Sequence, residues 1–242
     1  MPKKKDIMQF QRARRYAAGV AAVNAAIDAP GIATALAAHG KKLDLDMVAY
    51  NGLTATNQAI VDAALLTGKA VEDYADRDAL AVVFEPILYA RAAAEFVVGM
   101  VNAALSAVRM DAVIVQYAEA LGLELDDYSL LTDENKETVC EDMLTGKPYV
   151  NEAAIKVAFD AAVATELGTQ ALAAINEATA ETMAAVIATY ADALGLDLTD
   201  YDELEEAKKG EVHAAVVAGQ TYADKAAVKT AFDAAVLAAQ GE

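Results

Sequence analysis

The sequence predicts an all-α protein: three tandem helical repeats stacked in an array, preceded by an N-terminal helix. Two observations carry this expectation. The first is composition. Alanine and other strong helix formers dominate, with only 4 prolines and no tryptophan among 242 residues. The second is self-similarity. Ala191-Asp-Ala-Leu-Gly195-Leu-Asp-Leu-Thr-Asp-Tyr201 repeats Ala118-Glu-Ala-Leu-Gly122-Leu-Glu-Leu-Asp-Asp-Tyr128. Repetition of this length marks one supersecondary unit used again.

The match extends on both sides of that stretch. Val101-Asn-Ala-Ala104 corresponds to Ile175-Asn-Glu-Ala178, and Gly146-Lys-Pro-Tyr149 to Gly219-Gln-Thr-Tyr222. Ala154-Ile-Lys-Val-Ala-Phe159-Asp-Ala-Ala-Val163 corresponds to Ala227-Val-Lys-Thr-Ala-Phe232-Asp-Ala-Ala-Val236. A more divergent copy precedes them: Val23-Asn-Ala-Ala26, Leu43-Asp-Leu45, Tyr50, Gly68 and Phe84 follow in the same order. The expected organisation is a basic arm and helix over 1–22 and repeats over 23–100, 101–174 and 175–242. A lone unit of about 70 residues buries only ~60% of its unfolded surface, so the copies are expected to lean on each other.

Taken in order, the first helix is marked by Ile7, Phe10, Tyr16, Val20, Val23 and Ile27, at steps close to the helical period. In the last copy Thr179 is the expected cap of a helix through Met183, Ile187 and Tyr190 to Leu194, which Gly195 ends in a left-handed conformation. Leu196–Leu198 is extended. Thr199 or Asp200 should cap a short helix carrying Tyr201 and Leu204, and another helix should run from about Glu211 to Ala218, closed by Gly219. Asp224 should cap the last helix, with Val228, Phe232, Val236 and Leu237 on its apolar side. In the middle copy Gly122, Asp126, Thr132, Gly146 and Asn151 punctuate the chain in the same way. The helix from Glu152 can run through Gly168 to Ile175, joining two copies and making a stiff, rod-like array. At the earlier junction, Pro86 should kink the helix or mark its start.

Charge separates the ends of the chain. Lys3, Lys4, Lys5, Arg12, Arg14 and Arg15 face only Asp6 in the first 15 residues, a balance of +5, which leaves −23 on the remainder of a chain of net charge −18. Such an arm suits docking on an acidic protein surface or nucleic acid, or serves only as a solvated helix end. The acidic body argues against a groove-filling nucleic-acid binder. The N-terminus lacks the apolar run of a secretory signal, and Phe96–Val108, the most apolar window, is too short to span a bilayer and reads as a buried helix.

Candidate chemistry is sparse. One cysteine, Cys140, and two histidines, His39 and His213, make neither a disulfide framework nor a zinc cluster. Phosphate-loop, dinucleotide and nucleophile-elbow motifs are missing, so no catalytic residue, cofactor or metal is assigned. Acidic loops at Glu124, Asp126 and Asp127 and at Asp197, Asp200, Asp202 and Glu203 lack the ligand order of a calcium loop and read as helix caps. Tyr50, Tyr128 and Tyr201, with Phe84, Phe159 and Phe232, read as the core of each copy. Tyr149 and Tyr222, after the glycine turns, read as partly exposed.

The order Ala-Leu-Gly-Leu-Asp-Leu-x-x-Tyr, a helix ending in Gly-x-x-Tyr, and Ala-(Val/Ile)-Lys-x-Ala-Phe-Asp-Ala-Ala-Val resembles the all-helical repeats of about 70 residues in Gram-positive surface proteins and in structural proteins of their phages. The resemblance covers residues 101–242 well and 23–100 loosely. It implies a non-enzymatic module for protein–protein contacts and transfers no catalytic residues. The function expected from it is a virion component that self-assembles as a homo-oligomer or larger assembly, in the virion or host cytoplasm. A cell-surface module binding a wall component, and an enzyme or small-molecule binder at a repeat junction, are the alternatives.

Overall fold

The structure is a computed structural model that describes the backbone of residues 4–241 and side chains from Arg14 to Gly241. Among these residues the chain is all-helical, with thirteen α-helices, one 3-10 turn and no strand. It divides into two compact units, Met1–Gly99 and Met100–Glu242.

The first unit opens with α1 (Lys4–Ala25) and α2 (Ala29–His39). A 3-10 turn (Gly40–Leu43) leads to α3 (Met47–Gly52), α4 (Ala55–Val71) and α5 (Arg77–Ala103), the last of which crosses the division between the units. Helix α1 packs on α2 and the 3-10 turn. Val20, Val23, Ile32, Leu36, Leu43, Leu65, Leu80, Phe84 and Leu88 close into one core. Helix starts follow capping chemistry: Asp28, Asp46 and Thr54 each accept from a first-turn amide, satisfying a donor that has no partner inside the helix.

The second unit continues with α6 (Ala107–Leu121), α7 (Asp126–Leu130), α8 (Asp133–Thr145) and α9 (Glu152–Glu177), then α10 (Met183–Leu194), α11 (Thr199–Asp202), α12 (Glu206–Ala218) and α13 (Lys225–Gln240). Helix α9 is one uninterrupted helix that packs on α6 and α8 on one side of the sequence and on α10 and α13 on the other. Thr132, Asn151 and Asp224 cap their helices as expected. Gly122 and Gly195 end α6 and α10 at φ 65° and 69°, a left-handed conformation that lets the following amides bond back into the last turn.

Several expectations fail at element ends and on outer faces. Ile27 lies beyond α1 and is exposed, because the helix stops at Ala25. Helix α12 begins at Glu206, five residues before the expected start, and Gly210 lies inside it. The Thr179 carbonyl, rather than its hydroxyl, accepts from Met183 N, at 2.9 Å. The cap position of α11 is Leu198, without a side-chain bond, Asp197 before it accepts from Thr199 N, and neither Thr199 nor Asp200 is the cap. Asp126 is the first residue of α7 and not its cap. Pro86 lies inside α5, well after its start at Arg77. The Phe96–Val108 window is not one buried helix: α5 ends at Ala103, α6 starts at Ala107, and Phe96, Leu105 and Val108 are exposed. Leu237 also faces outward.

Candidate functional site

The basic arm is the site that the sequence singled out. Lys3, and the side chains of Lys4, Lys5 and Arg12, lie outside the described residues. Arg14 and Arg15 lie on α1, and Arg15 makes an ion pair with Asp44 at 3.4 Å. Tyr16 also hydrogen-bonds Asp44, a non-glycine residue with φ 53°. One end of the basic stretch is thus tied to the first unit, through side chains exposed enough that the pair adds little stability.

The second arrangement is internal and occurs three times. Each core tyrosine packs on a buried phenylalanine: Tyr50 on Phe84, Tyr128 on Phe159 and Tyr201 on Phe232, with ring centroids 6.0, 5.3 and 5.5 Å apart. Tilted aromatic pairs at this separation add to the gain from burying the rings. A hydroxyl brought into such a core needs a partner, and a residue twelve positions later supplies it. Tyr50 donates to Asp62 at 2.8 and 3.0 Å, and Tyr201 lies 2.6 Å from His213 Nε2. Tyr128 lies 3.5 Å from Cys140 Sγ and donates to Asp111 at 2.7 Å. Sequence reasoning found the three tyrosines and missed their partners. The constant spacing was the available signal, but Asp, Cys and His share no chemistry that would align them.

Burial governs the electrostatics here. It raises the Asp62 carboxyl above the usual carboxylate range, against the opposing effect of the Tyr50 hydrogen bond. It pushes the Cys140 thiol up, against its contact with Tyr128, and holds His213 below the ordinary imidazole value. The tyrosine hydroxyls are all pushed up, by burial first. Cys140 is 1% exposed with its thiol proton retained, the opposite of a reactive nucleophile.

A third recurrence closes each tyrosine turn. The side chain of Asn24 donates to Tyr74 O at 2.9 Å and accepts from Tyr74 N at 3.0 Å. Asn102 does the same with Tyr149, both at 2.8 Å, and Asn176 with Tyr222, at 3.0 and 2.9 Å. Lys69, Lys147 and Gln220 reach across to backbone carbonyls beside these asparagines, respectively Asn24 and Ala26, Asn102 and Ala104, and Ile175 and Ala178. The turn tyrosines fold back over Gly68, Gly146 and Gly219, where an added Cβ would collide with each hydroxyl. Gly146 and Gly219 have negative φ, so the close approach, and not backbone conformation, calls for glycine there. Tyr149 is therefore buried, contrary to the expected partial exposure, with its hydroxyl donating to Met143 O at 2.9 Å.

Beside these clamps lie two open hollows, each bordered by an Ala-Asp-basic triplet, Ala75-Asp76-Arg77 and Ala223-Asp224-Lys225. In the first unit a hollow of about 410 Å³ is lined by Tyr16, Ala17, Val20, Ala75, Asp76 and Arg77, among others. In the second, one of about 480 Å³ is lined by Gly168, Thr169, Leu172, Ala223, Asp224 and Lys225, among others. Neither gathers a convergent set of titratable groups. Among the described residues no three His, Cys, Asp or Glu side chains are placed to hold a metal ion. Nor is any helix there long and apolar enough to cross a membrane. The chain matches no protein-family model, no curated protein and no solved structure.

Proposed function

We propose that the protein is a non-enzymatic structural or assembly protein, a phage virion component whose three tandem helical repeats serve protein–protein contacts. The observation that carries this reading is where the chemistry sits. The recurring polar groups, namely the asparagine clamps and the tyrosine hydroxyls with their partners, are spent on holding helices together inside the fold. The only nucleophile-bearing cysteine is buried with its proton retained. Each repeat is read as one Tyr/Phe core with its Asn–Tyr clamp, and α9 as the element shared by the second and third copies. The net charge of −18, with its basic start, supplies a second argument, because a chain carrying both signs in separate regions complements another copy of itself.

The test is the absolute mass of the full chain by light scattering over a range of concentration and salt, beside a variant lacking residues 1–15. The expected result is a discrete oligomer or polymer that salt weakens and arm removal abolishes. A particle of 25.3 kDa under every condition would overturn self-assembly. An assembly untouched by salt and by loss of the arm would remove the arm's role alone.

A further inference from the structure

The residue that partners the core tyrosine differs in what a proton does to it. Asp62 loses a charge when protonated, and the Cys140 thiol already carries its proton at neutral pH. His213 gains a charge. The imidazole is 8% exposed and its ring centroid lies 5.9 Å from that of Tyr201. Its partner Tyr201 belongs to the apolar core that also holds Val212, Val216, Val228 and Phe232.

The charged groups near His213 and on the helices packed with α12 carry both signs, and burial outweighs them in setting its charge. Helix α11 presents the Tyr201 hydroxyl and, beside it, the Asp202 carboxylate, whose charge acts on that hydroxyl. On α12 itself, Glu206 favours the charged ring more than Lys209 opposes it, and both effects are smaller than that of burial. Lys209 also lies 5.5 Å above the Tyr201 ring, so a positive charge is already beside the site. On α13, Lys229 and Asp233 pair with one another at 2.9 Å. Helix α10 contributes Met183 and Ile187 to the core. A neutral imidazole with its proton on Nδ1 accepts the Tyr201 hydroxyl at Nε2. Protonation makes both ring nitrogens donors, which reverses that bond and places a charge in apolar surroundings.

We infer that His213 is an acid-operated latch in the Met100–Glu242 unit: a proton taken up at the Tyr201–His213 contact releases α12 from α10 and α13, while the Met1–Gly99 unit, whose matching contact is Tyr50–Asp62, keeps its packing. The direction follows from linkage. Because burial holds the folded imidazole below its ordinary value of 6.5, its contribution to stability is complete above that value and is lost as pH falls through the folded one. Asp62 has the reverse sign. Its raised carboxyl binds a proton more readily when folded, so acid favours the first unit.

Two measurements on the full chain test the latch. The first is an NMR titration of the imidazole resonances, which the presence of only two histidines makes simple to assign. His213 should titrate below 6.5. The second is amide hydrogen exchange, corrected for intrinsic rates, between pH 7 and pH 5. Opening of α12 should rise by up to about tenfold per pH unit inside the titration window, with no such rise in α4. His213→Gln, which can still hydrogen-bond Tyr201, should remove the rise. Titration of His213 at or above 6.5 would overturn the latch, as would an equal rise in α4 or in H213Q. If H213Q does not fold, the wild-type titration and the α12-to-α4 comparison decide.

Discussion

The two units meet the same geometric demands with partly different side chains, and the positions that change are informative. Asn, Tyr and Phe stand unchanged in the first unit and in both halves of the second, at the clamp, its turn and the core pair. The tyrosine partner varies through Asp62, Cys140 and His213, and the carbonyl-reaching side chain through Lys69, Lys147 and Gln220. Glu95 in the first unit and Gln170 in the second both accept from a helix-capping threonine amide, at 2.7 and 2.8 Å. Where a bond needs two groups at fixed angles, or a ring must fill a fixed volume, one residue type serves. Where any polar atom at the right distance suffices, charge and size drift.

The comparison breaks first at the phenylalanines. Phe84→Ala and Phe232→Ala each leave a void under a tyrosine and should cost about 3–5 kcal/mol, read from urea unfolding. A much smaller loss at one site would mean that its core does not depend on the aromatic pair. Next comes Asn102→Ala, which removes both partners of the Tyr149 backbone in one step. The expected loss is about 2–3 kcal/mol by thermal denaturation, with Asn176→Ala close behind because its geometry is the same.

Two glycines of the second unit separate space from backbone conformation. Gly146→Ala should cost about 1–3 kcal/mol through collision with the Tyr149 hydroxyl, and Tyr149→Phe in the same chain should recover part of it. Gly122→Ala meets nothing within 4 Å and should cost about 1–2 kcal/mol from its φ of 65° alone, so Tyr149→Phe should leave it unrelieved. Equal relief of both would merge the two causes.

The smallest effects concern the tyrosine partner and one strained residue. Asp62→Asn keeps an acceptor for Tyr50 and removes a carboxylate whose ionisation burial disfavours. Its melting temperature should exceed that of wild type at pH 7, and the difference should shrink as pH falls towards 4; a gain that grows on acidification would reverse the assigned sign. Thr221, β-branched at φ 86°, stands between Gly219 and Tyr222, and Thr221→Gly should raise stability by about 0.5–1 kcal/mol in the same assay. No gain would place the strain elsewhere.

The sequence by itself determined the helical class, the caps at Thr132, Asn151 and Asp224, the helix-ending glycines Gly122 and Gly195, and the residues of the three Tyr/Phe cores. Each rests on local chemistry: helix-forming composition, side-chain oxygens before first-turn amides, glycine after a last turn, and aromatic residues in register. Element ends were legible only where a glycine or cap also acted as a boundary, and the start of α12 at Glu206, which no side chain caps, was not. Only the tertiary structure decided how the polar positions are used. Asn102 meets Tyr149 across 47 residues, and Asp62, Cys140 and His213 become equivalent because each reaches a tyrosine hydroxyl through the folded core. It also turned Leu105, 92% exposed, and Val108 outward from an apolar stretch, since apolar character states a preference for burial while the packing of neighbouring helices sets which side is covered.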